Sequence, residues 1–213
     1  MPRINRRWVD EIFILDAGST DGSKEFLTSC GFEVADQQSK GVKAAFWEAF
    51  EQIDGDVIIP FSPDGNSIPE DIPRLIEQIN MGGDIIIASR YKDGAKSADD
   101  NFQSALANRV LTGLINVFFR SRFTDGLNMY KAFYKKHLFD LEIDKYKNDH
   151  SEIMLVARGT RYGLKVIEIA SREPKRIGKQ GSRAHPGLFG KYKSGIFLIK
   201  TIVRDGLCYW PKK

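Results

Sequence analysis

The chain has only two cysteines among its 213 residues, Cys30 and Cys208. They stand far apart, so neither a disulfide framework nor a thiolate metal site is expected. Three histidines, His137, His150 and His185, are scattered and read as non-catalytic. No apolar run approaches the roughly 18 residues of a transmembrane helix. The first residues, Met1 to Arg7, are basic but lack the apolar core of a signal peptide. Together these absences point to a reduced, cytoplasmic setting. There is no Gly-x-Ser-x-Gly elbow, no Walker loop, no Cys-x-x-Cys pair and no zincin motif, which excludes the commonest hydrolase, P-loop and zinc chemistries. No internal repeat or low-complexity segment is visible, and no nucleic-acid partner is expected.

What remains is an ordinary globular composition, 42% hydrophobic and 28% charged. The length suits one domain, or one domain with an appendage. We divide it into a domain over 1–187 and a basic amphipathic helix and tail over 188–213. The net charge of +4 is unevenly spread: from Arg172 onward eleven Lys and Arg face Glu173 and Asp205, giving a +9 tail on a −5 body. That asymmetry suggests an anionic partner near the tail, or else a solvated basic terminus.

The beginning of the chain is the most informative part. Val9 to Leu15 is an apolar run of strand length that stops at Asp16, and the small-residue turn Ala17-Gly18-Ser19-Thr20-Asp21-Gly22 follows. A helix is predicted over 23–30, with Ser19 or Asp21 as its cap. A short strand follows at 32–35. The next helix, 41–53, carries Val42, Ala45, Phe46, Ala49, Phe50 and Ile53 on one face. Further strands are predicted at 56–61, 84–88, within 124–134 and at 164–170. Helices are predicted from Pro69, over 102–119 and over 151–162. Residues 91–101 read as a polar loop. The last helix carries Ile196, Leu198, Ile199, Ile202 and Val203 on one side and Lys193, Lys200 and Arg204 on the other. Strand and helix alternate three times in the first half, which predicts an α/β fold with a mostly parallel sheet and helices on both faces. Right-handed crossovers then place the loops at 16–22, 62–67 and 89–96 on one rim, where ligands of such sheets bind.

Several residues carry chemistry at that rim. Asp16, Ser19 and Asp21 suit ribose hydroxyls or a base N–H, or else simple turn capping. Asp64 and Asn66 stand two apart in an extended loop, offering two oxygens to a hard cation that carries a diphosphate, or else an ordinary Pro-Asp-Gly turn. Lys40, Arg90, Arg176 and Lys179 are candidate phosphate binders, arginine for its fork of donors. Asp125, Asp149 and Glu152 are the candidates for a base that deprotonates or holds an acceptor, and the sequence does not choose among them.

These segments resemble family 2 glycosyltransferases of the GT-A fold, within them the dolichyl-phosphate mannose synthase and polyprenyl-phosphate glycosyltransferase branch. DAGSTDGS is similar to D-D-G-S-T-D-G-T. SKGVKAAFWEAF is similar to G-K-G-x-A-x-x-x-G-x, and FSPDGNSIPEDIP to D-A-D-L-Q-H-P-P-E-x-I-P. ASRYKDG is similar to G-S-R-Y-x-x-G, and TDGLNMYKAF to T-S-G-F-R-A-Y. GLKVIEIASREPKRIGKQGSR is similar to G-x-x-V-x-E-V-P-V-x-F-x-x-R-x-x-G-x-S-K. The ordered set covers most of the chain.

The resemblance implies inverting sugar transfer from a nucleotide-diphosphate sugar, assisted by Mg²⁺ or Mn²⁺. Asp16 and Asp21 would hold the nucleoside, and Asp64, the last acid of the D-x-D, would hold the metal with Asn66 nearby. Asp125 lies close to the position of a proposed base, and Arg176 and Lys179 would face phosphate. The implied acceptor is a polyprenyl phosphate. The basic tail, ending in Tyr209-Trp210, would then sit peripherally on the inner membrane face. Three departures stand out: Ser62 replaces the first acid of D-x-D, Ala17 replaces the second acid of D-D-G-S, and the family's first strand and P-x-Y-N-E loop are missing. The last has three readings: a start displaced downstream, a partner that completes the sheet, or a divergent protein. Exposed strand edges would also favour a homo-oligomer. The rival functions are a catalytically weak or inactive nucleotide-sugar-binding protein on the same scaffold, and a nucleotidyltransferase.

Overall fold

A computed structural model describes residues 3–146, 151–177 and 187–208. In chain order it contains β1 (Ile14–Asp16), α1 (Ser23–Ser29), β2 (Val34–Asp36), α2 (Val42–Gln52), β3 (Val57–Ile58), α3 (Asp71–Asn80) and β4 (Ile85–Ser89). Then follow α4 (Phe102–Phe119), β5 (Lys131–Tyr134), α5 (His137–Asp140), α6 (Ser151–Tyr162), β6 (Val166–Ala170) and α7 (Gly187–Cys208). The strands form two sheets, β1-β2 and β3-β5-β4-β6.

β4 organises the larger sheet, and all five of its residues are buried. Strand side chains alternate between faces. Ile85 and Ile87 accordingly join one core with Trp47, Phe50, Ile115, Phe119, Met154 and Ile202, so helices α2, α4, α6 and α7 cover that face. Ile86 and Ala88 join a second core with Ile72, Leu75 and Ile79 of α3 and with Ile4 from the chain's beginning. Both faces are therefore dry, which is why Asp84-Ile85-Ile86-Ile87-Ala88 reads as a continuous apolar run rather than an alternating one.

Several details differ from the sequence reading. First, β5 lies between β3 and β4 and runs antiparallel to both, so the sheet is mixed where residues 131–134 enter. Second, the first strand is shorter than predicted: Val9 and Ile12 lie before β1 and pack on the α3-side core instead of pairing in a sheet. Third, the cap position of α1 is Gly22, in the left-handed region at φ 83°, rather than Ser19 or Asp21.

The last helix also divides its faces differently. α7 buries Leu198, Thr201, Ile202 and Asp205, while Ile196 and Ile199 stay exposed. Asp205 meets Arg158 of α6 at 2.8 Å. Gly206 lies so close to α4 that a Cβ there would sit 2.5 Å from Cβ of Phe118. Gly206→Ala should therefore overpack this contact and cost about 1–3 kcal/mol. Thermal unfolding checks it, and an unchanged midpoint would show that α7 does not dock on α4 in solution.

Candidate active site

β6 is parallel to β4, and β5 is antiparallel to both β3 and β4. β3, β4 and β6 therefore run the same way, and their carboxyl ends open on one rim. The reversed β5 delivers the segment before it, Thr124-Asp125, to that same rim.

Arg90 follows β4 there. Its backbone N–H donates to Asp125 Oδ2 at 3.1 Å, Nε donates to the same oxygen at 2.7 Å, and Nη2 donates to Oδ1 at 3.0 Å. Asp125 is completely buried and accepts a further hydrogen bond from Asn108 Nδ2 at 2.8 Å. Arg90 Nη1 also lies 3.3 Å from Glu173 Oε2 and 3.8 Å from Asp100. Burial by itself would lower the proton affinity of this guanidinium, but Asp125 and then Glu173 hold it above the ordinary arginine range. Glu168 accepts the backbone N–H groups of Thr124 and Asp125 at 2.9 Å, which fixes the segment that carries the clamp. Beside it, burial and a hydrogen bond to Asp100 push the Tyr91 phenol up to about 12.

A strap over residues 171–177 crosses this rim. Glu173 donates its backbone N–H to Lys96 and accepts that of Ala98 at 2.7 Å. Its carboxylate accepts from Asn66 Nδ2 at 3.2 Å, from Arg90, and from Ser97 Oγ. Arg176 Nε donates to Asp99 Oδ2 at 2.7 Å and stands 3.5 Å from Asp64 Oδ2. Ile177 N–H donates to the Asp64 carbonyl at 2.8 Å. Gly65 makes this crossing possible: its φ is +88°, and a Cβ would fall 2.8 Å from the Ile177 side chain.

The loop after β3 presents Asp64 and Asn66. Ser62 Oγ donates to Asp64 Oδ1 at 2.8 Å. The Asp64 side chain is 30% exposed. Asn66 is buried, and its Oδ1 has no hydrogen-bond partner among the described residues. A buried carbonyl oxygen without a donor is costly, unless something outside the protein meets it. It stands two residues from a partly exposed carboxylate, a donor set that fits a hard divalent cation. Among the described residues no group of three or more His, Cys, Asp or Glu is arranged to hold a metal by itself. Magnesium-type sites commonly use one or two protein oxygens with substrate phosphates and water, so a closed cage is not required.

The turn after β1 is occupied by its own residues. Asp16 accepts from the N–H groups of Gly18 and Ser19 at 2.9 and 2.8 Å and from Ser19 Oγ. The Ser19 hydroxyl is the leading reason that the Asp16 carboxyl lies below its usual range. Asp21 accepts from Ser23 N–H at 3.1 Å. Lys40 is exposed just before α2. Among the described residues no hydrogen bond or ion pair joins Asp16, Ser19, Asp21 or Lys40 to the Asp64–Arg90 group. Asp64, Asn66, Arg90, Asp125 and Arg176 are thus brought together, and the bonds that do so run through Glu173 and Asp99. Asp149, Lys179, Tyr209 and Trp210 lie outside the described residues, as does the side chain of Glu152.

Glu173, Asp99, Asp100, Asn108 and Glu168 were not singled out from the sequence. Glu173 had an available signal: it stands just past β6 as Arg90 stands just past β4.

The family model for glycosyl transferase family 2 matches residues 6–145. The chain belongs to that family. Among curated family 2 relatives, the undecaprenyl-phosphate 4-deoxy-4-formamido-L-arabinose transferase of Pseudomonas fluorescens (strain SBW25) is 37% identical over 114 residues, covering 50% of this chain and 31% of the relative. Glycosyltransferase AglJ of Haloferax volcanii is 26% identical over 133 residues, covering 62% of this chain and 44% of the relative. The chain thus spans less than half the length of each of these two relatives. Among solved structures, glucosyl-3-phosphoglycerate synthase from Mycobacterium tuberculosis, in complex with Mn²⁺, UDP and glucosyl-3-phosphoglycerate, superposes with a TM-score of 0.62 at 16% identity. That match covers 96% of this chain and 71% of the synthase. The expected GT-A fold of family 2 is borne out. No helix among the described residues is long and apolar enough to cross a membrane.

Proposed function

We propose that this chain transfers a sugar, with inversion, from a nucleotide-diphosphate sugar to a polyprenyl phosphate at the cytoplasmic face of a membrane. Family membership supports sugar transfer. A relative named for undecaprenyl phosphate supports the acceptor, and a fold neighbour crystallised with Mn²⁺ and UDP supports the donor and the metal. The observation that carries the reading is the partnerless Asn66 carbonyl beside the Asp64 carboxylate, at a rim held together by the 171–177 strap. Asp64 and Asn66 would hold Mg²⁺ or Mn²⁺, with Ser62 Oγ orienting the carboxylate. When bound, the ion supplies positive charge against the departing diphosphate, the largest usual contribution in such transfers.

Arg176 stands between Asp99 and Asp64 and would turn part of its fork toward phosphate oxygens. Arg90 is fully committed to carboxylates, so its role here is to tie three loops into one wall. Asp125 would hold Arg90 in place rather than act as a base, because its oxygens are buried and already accept four hydrogen bonds. The base role then falls to Asp149 or Glu152. The turn at 16–22 would take the nucleoside, its shape fixed by the Asp16–Ser19 bonds. Asp64, Asp99, Asp100, Asp125 and Glu173 each have a hydroxyl or guanidinium partner, which favours a single, inverting displacement over a covalent intermediate on one of them.

One observation favours the rival reading, a nucleotide-sugar-binding protein of little or no activity. Ser62 occupies the place of an acid and fills one oxygen of Asp64. Calorimetric titration with UDP- and GDP-sugars, with and without Mn²⁺, and product analysis with polyprenyl phosphate separate the two. Mn²⁺-dependent binding with a glycosylated lipid as product is expected. Binding without turnover would support the rival, and no binding would overturn both.

A further inference from the structure

The helix that leaves the candidate site has an outer face that the catalytic reading does not use. On α4, Phe102 is 81% exposed, Leu106 50%, Val110 51% and Val117 74%. At 3.6 residues per turn these four fall within an arc of about 80°, a continuous stripe roughly 22 Å long. The opposite side of the helix, Asn108, Thr112, Ile115 and Phe119, is buried in the protein. The stripe is therefore the solvent side of a helix already docked by its other face.

Charge is distributed on this helix with one sign. Arg109 borders the stripe, and exposed Arg120 and Arg122 follow its end. No Asp or Glu occurs between Asn101 and Thr124. α7, which packs on α4, repeats the pattern: Ile196, Ile199 and Leu207 are exposed, with Lys200 and Arg204 exposed beside them. The one acid of α7, Asp205, is buried against Arg158. Exposed apolar stripes edged by cations and free of carboxylates complement an anionic lipid surface.

The stripe also begins at the candidate site. Asn101 caps α4 through Ser104 N–H, and the two residues before it, Asp99 and Asp100, bond Arg176 and Tyr91. Phe102 thus stands three residues from the aspartate that holds the candidate phosphate-binding arginine.

We infer that the outward face of α4, from Phe102 to Val117, docks on an anionic bilayer, with the stripe in the headgroup layer and Arg109, Arg120 and Arg122 on lipid phosphates. The contact brings the rim at Asp99 and Arg176 to the level where a lipid-linked phosphate lies. This purpose rests on the sugar-transfer reading, whereas the lipid contact itself does not. It differs from a contact made by the basic tail alone, because the stripe lies on α4, with the exposed apolar and basic residues of α7 beside it.

Vesicle flotation of the full chain, without donor or acceptor, tests the contact separately from turnover. The protein is expected to float with phosphatidylcholine vesicles containing phosphatidylglycerol and far less with phosphatidylcholine alone. L106E/V110E should reduce flotation at least about tenfold. Arg109→Gln should reduce it about fivefold on the anionic vesicles. Phe139→Ser, at an exposed residue of α5 away from the stripe, should leave it unchanged. Circular dichroism of L106E/V110E should match the parent, since both positions face solvent. Failure of the parent to float, or flotation indifferent to L106E/V110E, would overturn the proposal. So would a dimer in solution that L106E/V110E dissociates, because a second copy would then cover the stripe. Donor binding that persists without flotation would leave sugar transfer standing while removing the membrane contact.

Discussion

Asp125→Asn is expected to destabilise the protein by about 3 kcal/mol, because it leaves the buried Arg90 guanidinium without its main counter-charge. Removing one member of a buried pair commonly costs about 3–5 kcal/mol, and the contacts of Arg90 with Glu173 and Asp100 place the loss at the low end. For a chain of this size that is a fall of roughly 6–12 °C in thermal midpoint. Arg90→Met in the same background should recover part of the loss, since the uncompensated charge goes with it. A base would behave differently. If Asp125→Asn kept the midpoint and lost only turnover, with an altered pH profile, Asp125 would be the acceptor base and the clamp account would fail.

Asp64→Ala is expected to do the reverse. Its side chain is partly exposed at the rim and contributes little packing, so stability should move by no more than about 0.5 kcal/mol. Donor turnover should fall by about 10²–10³, the usual cost of removing one electrostatic element that faces developing charge. Mn²⁺ should no longer improve donor binding, and chelation of the parent protein should reproduce the defect. A variant that unfolds would assign Asp64 to the loop's structure. A folded variant with full metal dependence would assign the ion elsewhere.

Asp64 and Asp125 are both aspartates in turns, and their sequence contexts do not separate an exposed ligand from a buried clamp. What separates them is Arg90, 35 residues before Asp125, and Asn108 on α4. Both meet Asp125 only because β5 reverses direction. The reversal was not legible: Lys131 to Tyr134 has the length and composition of a strand whichever way it runs. The strands at Ile14–Asp16 and Ile85–Ser89 and the helices at Phe102–Phe119 and Ser151–Tyr162 were legible, because hydrophobic period and turn residues are local signals. The first strand was over-extended because Val9 and Ile12 are apolar for packing on α3, which sequence does not distinguish from pairing in a sheet. The face of α7 was misdivided for a related reason. A charged Asp205 is buried there against Arg158 and a polar Thr201 by donating its hydroxyl to the Phe197 carbonyl, while Ile196 and Ile199 face out. The order of motifs identified the family, whereas the bonds by which Glu173 and Asp99 tie its loops together became visible only in three dimensions.

The most direct measurement is paramagnetic broadening of backbone amide signals by Mn²⁺ in the presence of UDP. With metal held by Asp64 and Asn66 at the shared rim, the strongest broadening should fall on residues 62–66 and on the strap at 173–177. It should weaken along α4 away from Phe102, and it should disappear in Asp64→Ala. Broadening centred on another part of the fold, or unchanged in Asp64→Ala, would contradict a donor site built from the loops after β3, β4 and β6.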